Sequence, residues 1–458
     1  MKIYNTLTRT KDNFKTINEG QVLMYTCGPT VYNFAHIGNL RAYVCADVLR
    51  KVLEYSGYEV KQVMNITDIG HLASDADSGE DKMTKGLLRE GKELTLANMR
   101  TLAEFYTARF NEDLAKLNIK FPSGQYYASD YVPEDAELVE RLEEKGFTYI
   151  TTDGVYFDTE KMPDYGALWG GKRTTDKEHA RIDENSEKHN PADFALWKFN
   201  NKIGYPSKWG QGFPGWHIEC SAMGMKFLGE QFDIHTGGID HISIHHTNEI
   251  AQSECATGKK PFVNFWLHNE FVDTAGEKMA KSGDNFLTLE RVTERKISPV
   301  AYRFWLLMAN YRTKVNFNWE ALEAAAIALK RLNSLYLGLG EAVGVINSEY
   351  QQKFKERLED DLDTPRALAL LWDLIKDEGV PNQDKKATIL DFDKVLSLGF
   401  ADLKEVEVPE EILNLLNARE EARKNKDFLK SDEIRKQINS LGYEVKDTGE
   451  GQKISILD

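Results

Sequence analysis

Residues Tyr25 to Asn39, reading YTCGPTVYNFAHIGN, constrain the fold of this chain more than any other stretch. Just before them, Val22, Leu23, Met24 and Tyr25 make a short apolar run rich in strand formers. Beyond them, LRAYVCADVLRKVLEYSG carries apolar residues at helical spacing and stops at Gly57, which predicts an amphipathic helix with a glycine cap. A second strand, YEVKQVMNIT, follows at once. Strand, helix and strand with so little spare chain make a parallel unit, whose crossover is right-handed. The linking segment, with Cys27 and the tetrapeptide His36 to Asn39, then sits at the carboxyl end of the strand and the amino end of the helix. Open α/β sheets bind ligands on that rim, and free backbone N–H groups there attract phosphate.

A chain of 458 residues is long enough for several cores, and at 41% hydrophobic and 29% charged it has a globular composition. Its net charge of -15 argues against non-specific coating of nucleic acid but leaves room for a local basic surface. The start, MKIYNTLTRTKDNF, lacks the apolar core of a signal peptide, and no stretch approaches a membrane span, so a cytoplasmic protein without a membrane partner is expected. The four cysteines, Cys27, Cys45, Cys220 and Cys255, are too few and scattered for a disulfide framework, which leaves metal binding or reactive thiols.

Along the chain, NITDIG closes the second strand, HLASDADSGEDKM is an acidic loop, and Thr95 to Leu117 is a helix with a core stripe of Met99, Leu102, Phe105 and Phe110. From Pro122 to about Asn200, short strand-like runs such as FTYITTDGVYFD and the polar GGKRTTDKEHARIDENSEKHN read as an inserted domain. ADFALWKF, GWHIECSAMGMKFLG and FDIHTGGID return to α/β character, so the sheet is split in sequence. From Ser298 the helical segments YRFWLLMAN, WEALEAAAIALKRLNSLYLGL, DTPRALALLWDLIKD and KKATILDFDKVLSLGF predict a bundle, followed by a small unit ending in a hairpin. In that unit Arg419, Arg423, Lys424, Lys426, Lys430, Arg435 and Lys436 offer phosphate contacts, unless interleaved glutamates pair them along a helix face.

Two constellations carry chemistry. His245 and Glu249 stand at i and i+4 in HHTNEIAQSECA and project from one helix face, and Cys27 and Cys220 can add thiolates, a donor set that suits zinc. His217, His235, His241 and His246 lie near in sequence, so spacing alone leaves the ligand choice open. The loop GEKMAKSGDN, Gly276 to Asn285, puts Lys278 and Lys281 at i and i+3, a cationic loop able to fold over a polyphosphate or simply to be solvated.

Taken in order, CGPTVYN with HIGN, NITDI, GWHIECSAM, FDIH with GGIDHISIHHTNEIAQS, KMAKS, DDLDTP and ARKNKDFLKSDEIR resemble the cysteinyl-tRNA synthetases, a class I aminoacyl-tRNA synthetase family, over essentially the whole chain. The resemblance implies an α/β fold: a split Rossmann-like doubly wound parallel sheet (1–121 and 201–270) with an inserted connective domain (122–200). A KMSKS-type loop and junction domain (271–318), a helical-bundle anticodon-binding domain (319–402) and a small C-terminal mixed α/β tRNA-binding unit (403–458) would follow. It assigns one zinc ion to Cys27, Cys220, His245 and Glu249. It places His36, Gly38, Asn39 and Lys281 at ATP, with Lys278 beside them, and Cys27, Gly28, Thr67, Trp216 and His245 around L-cysteine. His36, Asn39, Lys278 and Lys281 would be the catalytic groups.

The implied reaction activates cysteine with ATP and Mg2+ and transfers it to the terminal adenosine of tRNA(Cys), in a monomer. Two departures stand out: the usual HIGH is HIGN, which replaces an imidazole by the Asn39 amide, and the usual KMSKS is KMAKS, which removes a hydroxyl at Ala280. A ligase that gives cysteine to a small amine, or a catalytically silent tRNA-binding paralogue, would share much of this pattern.

Overall fold

The computed structural model describes residues 1–69, 82–170, 186–274, 277–278 (as backbone), 286–404, 409–448 and 451–456. HLASDADSGEDKM as far as Asp81, most of GGKRTTDKEHARIDENSEKHN, and Lys281 with most of its loop lie outside the described residues.

The core is a parallel sheet of five strands: β1 Gln21–Thr26, β2 Glu59–Ile66, β3 Gly124–Tyr127, β4 Phe232–Gly238 and β5 Val263–Asn269. Their spatial order is β5-β4-β1-β2-β3. The inner strands are buried almost throughout, because helices cover a parallel sheet on both faces. Helix α1, Ile37–Tyr55, links β1 to β2 as its periodicity requires. Gly57 turns the chain at φ +97°, a conformation that L side chains rarely adopt. From β1 the chain first builds outward through β2 and β3, then returns to add β4 and β5 on the other side. The gap between β1 and β4 is therefore the switch point, outside whose carboxyl ends such sheets open a ligand crevice. The pairing Met24 with Ile234, Tyr25 with His235 and Thr26 with Thr236 brings the two strand ends level there.

Strands Thr148–Ile150, Gly154–Phe157, Phe194–Phe199 and Gly212–Pro214 form a separate antiparallel sheet. ADFALWKF belongs to it and not to the returning α/β segment: Phe194, Ala195, Leu196 and Trp197 are all buried, and such a strand reads like one from a parallel core. The structure also moves two expected boundaries. Gly124–Tyr127, beyond residue 121, pairs with β2, and Gly212–Pro214, beyond residue 200, pairs with the inserted sheet. Both strands are too short to carry a periodic signal. On helix Leu96–Lys116 the inner stripe is Met99, Leu102, Ala103, Tyr106 and Phe110, whereas Phe105 is 49% exposed, out of step with a 3.6-residue period.

The carboxyl-terminal part contains the expected helices Pro299–Leu307, Trp319–Leu337, Thr364–Lys376 and Asn382–Leu396, together with Ser348–Leu358. A fully buried guanidinium, Arg303, fastens this part to α1: it reaches Asp47 at 2.7 Å and donates to the carbonyls of Leu396 at 2.7 Å and Leu117 at 3.1 Å. Asp47 also pairs with Lys51 at 2.8 Å. The terminal unit folds helices Glu410–Lys424 and Phe428–Ser440 against the hairpin Tyr443–Thr448 and Gly451–Ile456, around a small core of Ile434, Ile438 and Val445. Arg419 is buried here on Asp447, so it is structural and not a phosphate contact. Arg423 pairs with Asp447 and Lys424 with Glu420. Among the described residues no helix is long and apolar enough to cross a membrane.

Candidate active site

The crevice at the switch point holds a cavity of about 240 Å³. Cys27, Gly28 and Asn39 line it from the β1–α1 side, Thr67 from the end of β2, Trp216 and Cys220 from helix α2 (Ile218–Leu228) and the turn before it, and His245 from helix α3 (His245–Thr257). A polar chain fixes its floor. The Gly28 N–H donates to Asn65 Oδ1 at 2.7 Å, Asn65 Nδ2 donates to Glu219 Oε1 at 3.1 Å, and the Thr67 hydroxyl donates to the same carboxylate oxygen. Gly28 is required by close approach: a Cβ there would lie 1.5 Å from the Asn65 carbonyl oxygen. The Trp216 ring lies 4.7 Å from the His245 ring, with the Lys82 ammonium 4.7 Å from the indole centre.

Behind the cavity lies a buried cluster of cysteines, histidines and one glutamate. The ligand atoms of Cys27, Cys220, His245 and Glu249 all lie within 4.8 Å of one another, and so do those of Cys27, His235, His246 and Glu249. Two observations separate the sets. Cys27, Cys220 and His245 face the cavity, whereas of the second set only Cys27 does. His235 Nε2 is already engaged with Glu249 Oε2 at 2.9 Å, and His246 bridges Cys27 Sγ at 3.3 Å and His268 at 2.7 Å.

Glu249 Oε1, by contrast, is fully buried without a hydrogen-bond partner although His245 Nε2 is 3.1 Å away. Both atoms belong to the group of ligand atoms that lie within 4.8 Å of one another, so a cation set among them would satisfy the carboxylate oxygen. The other nitrogen of His245 meets His217 Nδ1 at 2.9 Å, the outward contact that holds a metal-binding imidazole in orientation. The cluster can hold a metal ion.

Electrostatics support an anionic sulfur. Burial pushes the Cys27 thiol up, but the hydrogen bond from Cys220 and the fields of His246, His235 and His245 outweigh it and hold Cys27 well below the usual thiol range. Cys220, desolvated and beside that charge, is pushed well above it. His241, which also lines the cavity, rises to about 9 because the contact with Cys27 overcomes its burial, while burial together with His241 and His235 drives His268 down to about 3.

His36 caps α1, its Nδ1 accepting from the Asn39 N–H at 3.1 Å. Asn39, in the first turn of the capped helix, lines the cavity wall. Gly38 lies in the same first turn. Phe286 meets the His36 ring edge-on at 6.0 Å, and the Ile37 N–H donates to the Leu287 carbonyl at 2.8 Å, so the stretch just after the KMAKS segment is fastened to this turn. The backbone of Lys278 pairs with Asp273, and Lys281 lies outside the described residues. Asn65, at the head of the polar NITDIG segment that closes the second strand, faces the same rim as Cys27, whereas Glu219 carries no motif of its own. The signal for Glu219 is its place one residue before Cys220 in HIEC, in the first turn of its helix.

A model of the class I (C) tRNA synthetase catalytic domain matches residues 13–327, and a model of the cysteinyl-tRNA ligase anticodon binding domain matches residues 405–454. The chain is 44% identical to cysteine--tRNA ligase 1 of Burkholderia lata over 99% of its own length and 96% of that protein's. It is 43% identical to the cysteine--tRNA ligase of Treponema denticola over 98% of each. Its fold is similar to that of Mycobacterium tuberculosis methionyl-tRNA synthetase solved with methionyl-adenylate, at a TM-score of 0.56, 14% identity, and coverage of 82% of this chain and 90% of that one. With a parallel sheet of this order, a buried Cys/His/Glu cluster at its switch point and relatives of this similarity over nearly the full length, the chain belongs to the cysteinyl-tRNA synthetases of the class I aminoacyl-tRNA synthetases.

Proposed function

We propose that cysteinyl-tRNA(Cys) is made in the switch-point cavity in two steps, with the roles divided among residues as follows. The L-cysteine carboxylate attacks the α-phosphorus of ATP and displaces pyrophosphate. The 2′-hydroxyl of the terminal adenosine of the tRNA then attacks the activated carbonyl and releases AMP. The nucleophile of the first step is already an anion, so positioning and charge stabilisation carry the catalysis and no general base is needed.

Cys27, Cys220, His245 and Glu249 are the residues we assign to a zinc ion. When bound, zinc supplies a soft Lewis-acid position that favours a substrate thiolate over the hydroxyl of serine. The remaining roles belong to the chain itself. His235 orients Glu249, and His217 orients His245. The Gly28–Asn65–Glu219–Thr67 chain sets the pocket floor, and Trp216 closes one side. The amino end of α1, with His36 capping it and Gly38 and Asn39 in its first turn, receives the phosphates of ATP, whose Mg2+ shares their charge. Asn39 donates a hydrogen bond where an imidazole is usual. Lys278 and Lys281 are the cations assigned to the phosphates, Lys281 being the principal one. A monomer is part of this reading, and sedimentation tests it.

The observation that carries the reading is that Cys27 and the pair Cys220 and His245, from opposite sides of the switch point, face one cavity beside the start of α1. The test is charging of tRNA(Cys) transcript with radiolabelled cysteine, beside cysteine-dependent pyrophosphate exchange and zinc content on the same protein. All three are expected. Exchange without charging would mean a small-acceptor ligase, and a folded, zinc-loaded protein with neither activity a silent paralogue.

A further inference from the structure

Arg41, one turn along α1 from Ile37 and two residues after HIGN, is buried, yet among the described residues no carboxylate pairs with it. Its guanidinium donates instead to four backbone carbonyls: Phe271 and Thr313 at 2.6 Å each, Tyr311 at 3.2 Å and Asn310 at 3.3 Å. Those carbonyls are placed tellingly. Phe271 immediately precedes the strand Val272–Thr274, and Asn310 to Thr313 form the turn that feeds Val315–Phe317. The two strands pair in parallel, and Val272–Thr274 pairs on its other edge with Glu277–Lys278. The guanidinium thus grips the starts of both strands of the small sheet from whose edge the Lys278 strand hangs. One turn back on the same helix, Ile37 holds the Leu287 carbonyl on the far side of the KMAKS segment.

We infer that Arg41 is a positioning residue for adenylate formation: it locks the small sheet to the HIGN helix and so sets where Lys278 stands relative to the helix start. This rests on the assignment of Lys278 to the ATP site. A planar fork is what four carbonyls from two converging strands demand. Lysine, with one compact ammonium, satisfies at most part of that set.

The test is Arg41→Lys in the full chain, measured by cysteine-dependent pyrophosphate exchange. Zinc content and the KM for cysteine are expected to stay within about twofold of the parent, while kcat falls about 10- to 100-fold, the scale of an ångström-level misplacement. Because the effect runs through Lys278, adding Arg41→Lys to Lys278→Ala is expected to cost about twofold or less further. An equal loss on both backgrounds would show a merely structural residue and overturn the inference, as would an unchanged kcat. Lys278→Ala alone separates the two readings. If it leaves exchange intact, the lysine assignment fails and the inference with it; if it slows exchange while Arg41→Lys does not, only the role of Arg41 is lost.

Should Arg41→Lys not accumulate as folded, zinc-loaded protein, Lys314→Ala carries the same cycle. It breaks the 2.6 Å pair between the exposed Lys314 ammonium and the buried carboxylate of Asp273 on the same small sheet. A loss in kcat that disappears on the Lys278→Ala background supports the coupling, and an additive or absent loss overturns it.

Discussion

Replacing Gly28 by alanine tests the pocket floor at its tightest point. The added Cβ would lie 1.5 Å from the Asn65 carbonyl oxygen and 2.7 Å from its carbon, where real Cβ atoms keep at least 3.0 Å. Both colliding atoms are backbone, so no rotamer relieves the clash, and the loop after β1 must separate from the end of β2 by about 1.5 Å. That shift breaks the 2.7 Å bond from Gly28 to Asn65 and displaces Cys27 on one side and the Asn65–Glu219–Thr67 chain on the other. Overpacking and one lost buried hydrogen bond together cost about 2 to 4 kcal/mol of stability. A displacement above 1 Å at the reacting end predicts a loss in kcat/KM for cysteine of about 100-fold or more. Pyrophosphate exchange at varied cysteine, with zinc content and a urea titration on the same preparation, reads all three quantities. A zinc-loaded Gly28→Ala protein within about threefold of the parent in kcat/KM would refute the argument, since the pocket would then tolerate a movement that the geometry says it cannot.

Further outcomes follow from the same geometry. Cys220→Ser is expected to lower zinc content and cysteine activation together, and unchanged zinc by atomic absorption would remove Cys220 from the ligand set. Lys281→Ala is expected to slow adenylate formation in single-turnover assays about 100-fold while leaving cysteine affinity unchanged; a large loss of affinity instead would contradict its placement at the phosphates. Asp47→Asn leaves Arg303 and Lys51 buried without their counter-charge, and a loss of about 3 to 5 kcal/mol is expected in denaturant unfolding.

The parts legible in the sequence are those whose local pattern and tertiary role coincide. The strand ending at Thr26, the helix capped before Gly57 and the strand after it each announce themselves by period and punctuation, and the cavity opens at the rim between them. His245 and Glu249 were legible because i and i+4 is a geometric statement on any helix. Cys27 and Cys220 carry no such local geometry: what unites them is the switch between β1 and β4, and the family resemblance supplied it where spacing could not. The choice among five histidines turns on which face the cavity and which are occupied from behind, a distinction with no signature in one dimension. Ser348–Leu358 shows no legible stripe, because only Phe354 and Leu358 of that polar helix are buried. Phe194 to Trp197, buried on both sides, looks alike in a parallel or an antiparallel sheet.

The strand order has a consequence for synthesis. β1 finds β2 almost at once, but its other edge waits for β4, about 200 residues later in translation, which at about 5 to 20 residues per second is about 10 to 40 s. During that interval the nascent chain presents Val22, Met24 and Tyr25 beside a row of unpaired amides and carbonyls, a template for pairing with a stranger. The inserted antiparallel sheet, whose strands all pair with their neighbours in sequence, can fold while the edge stands open. Its length is therefore a clock: every residue added to the insertion prolongs the time during which the half-built sheet stands with an open edge.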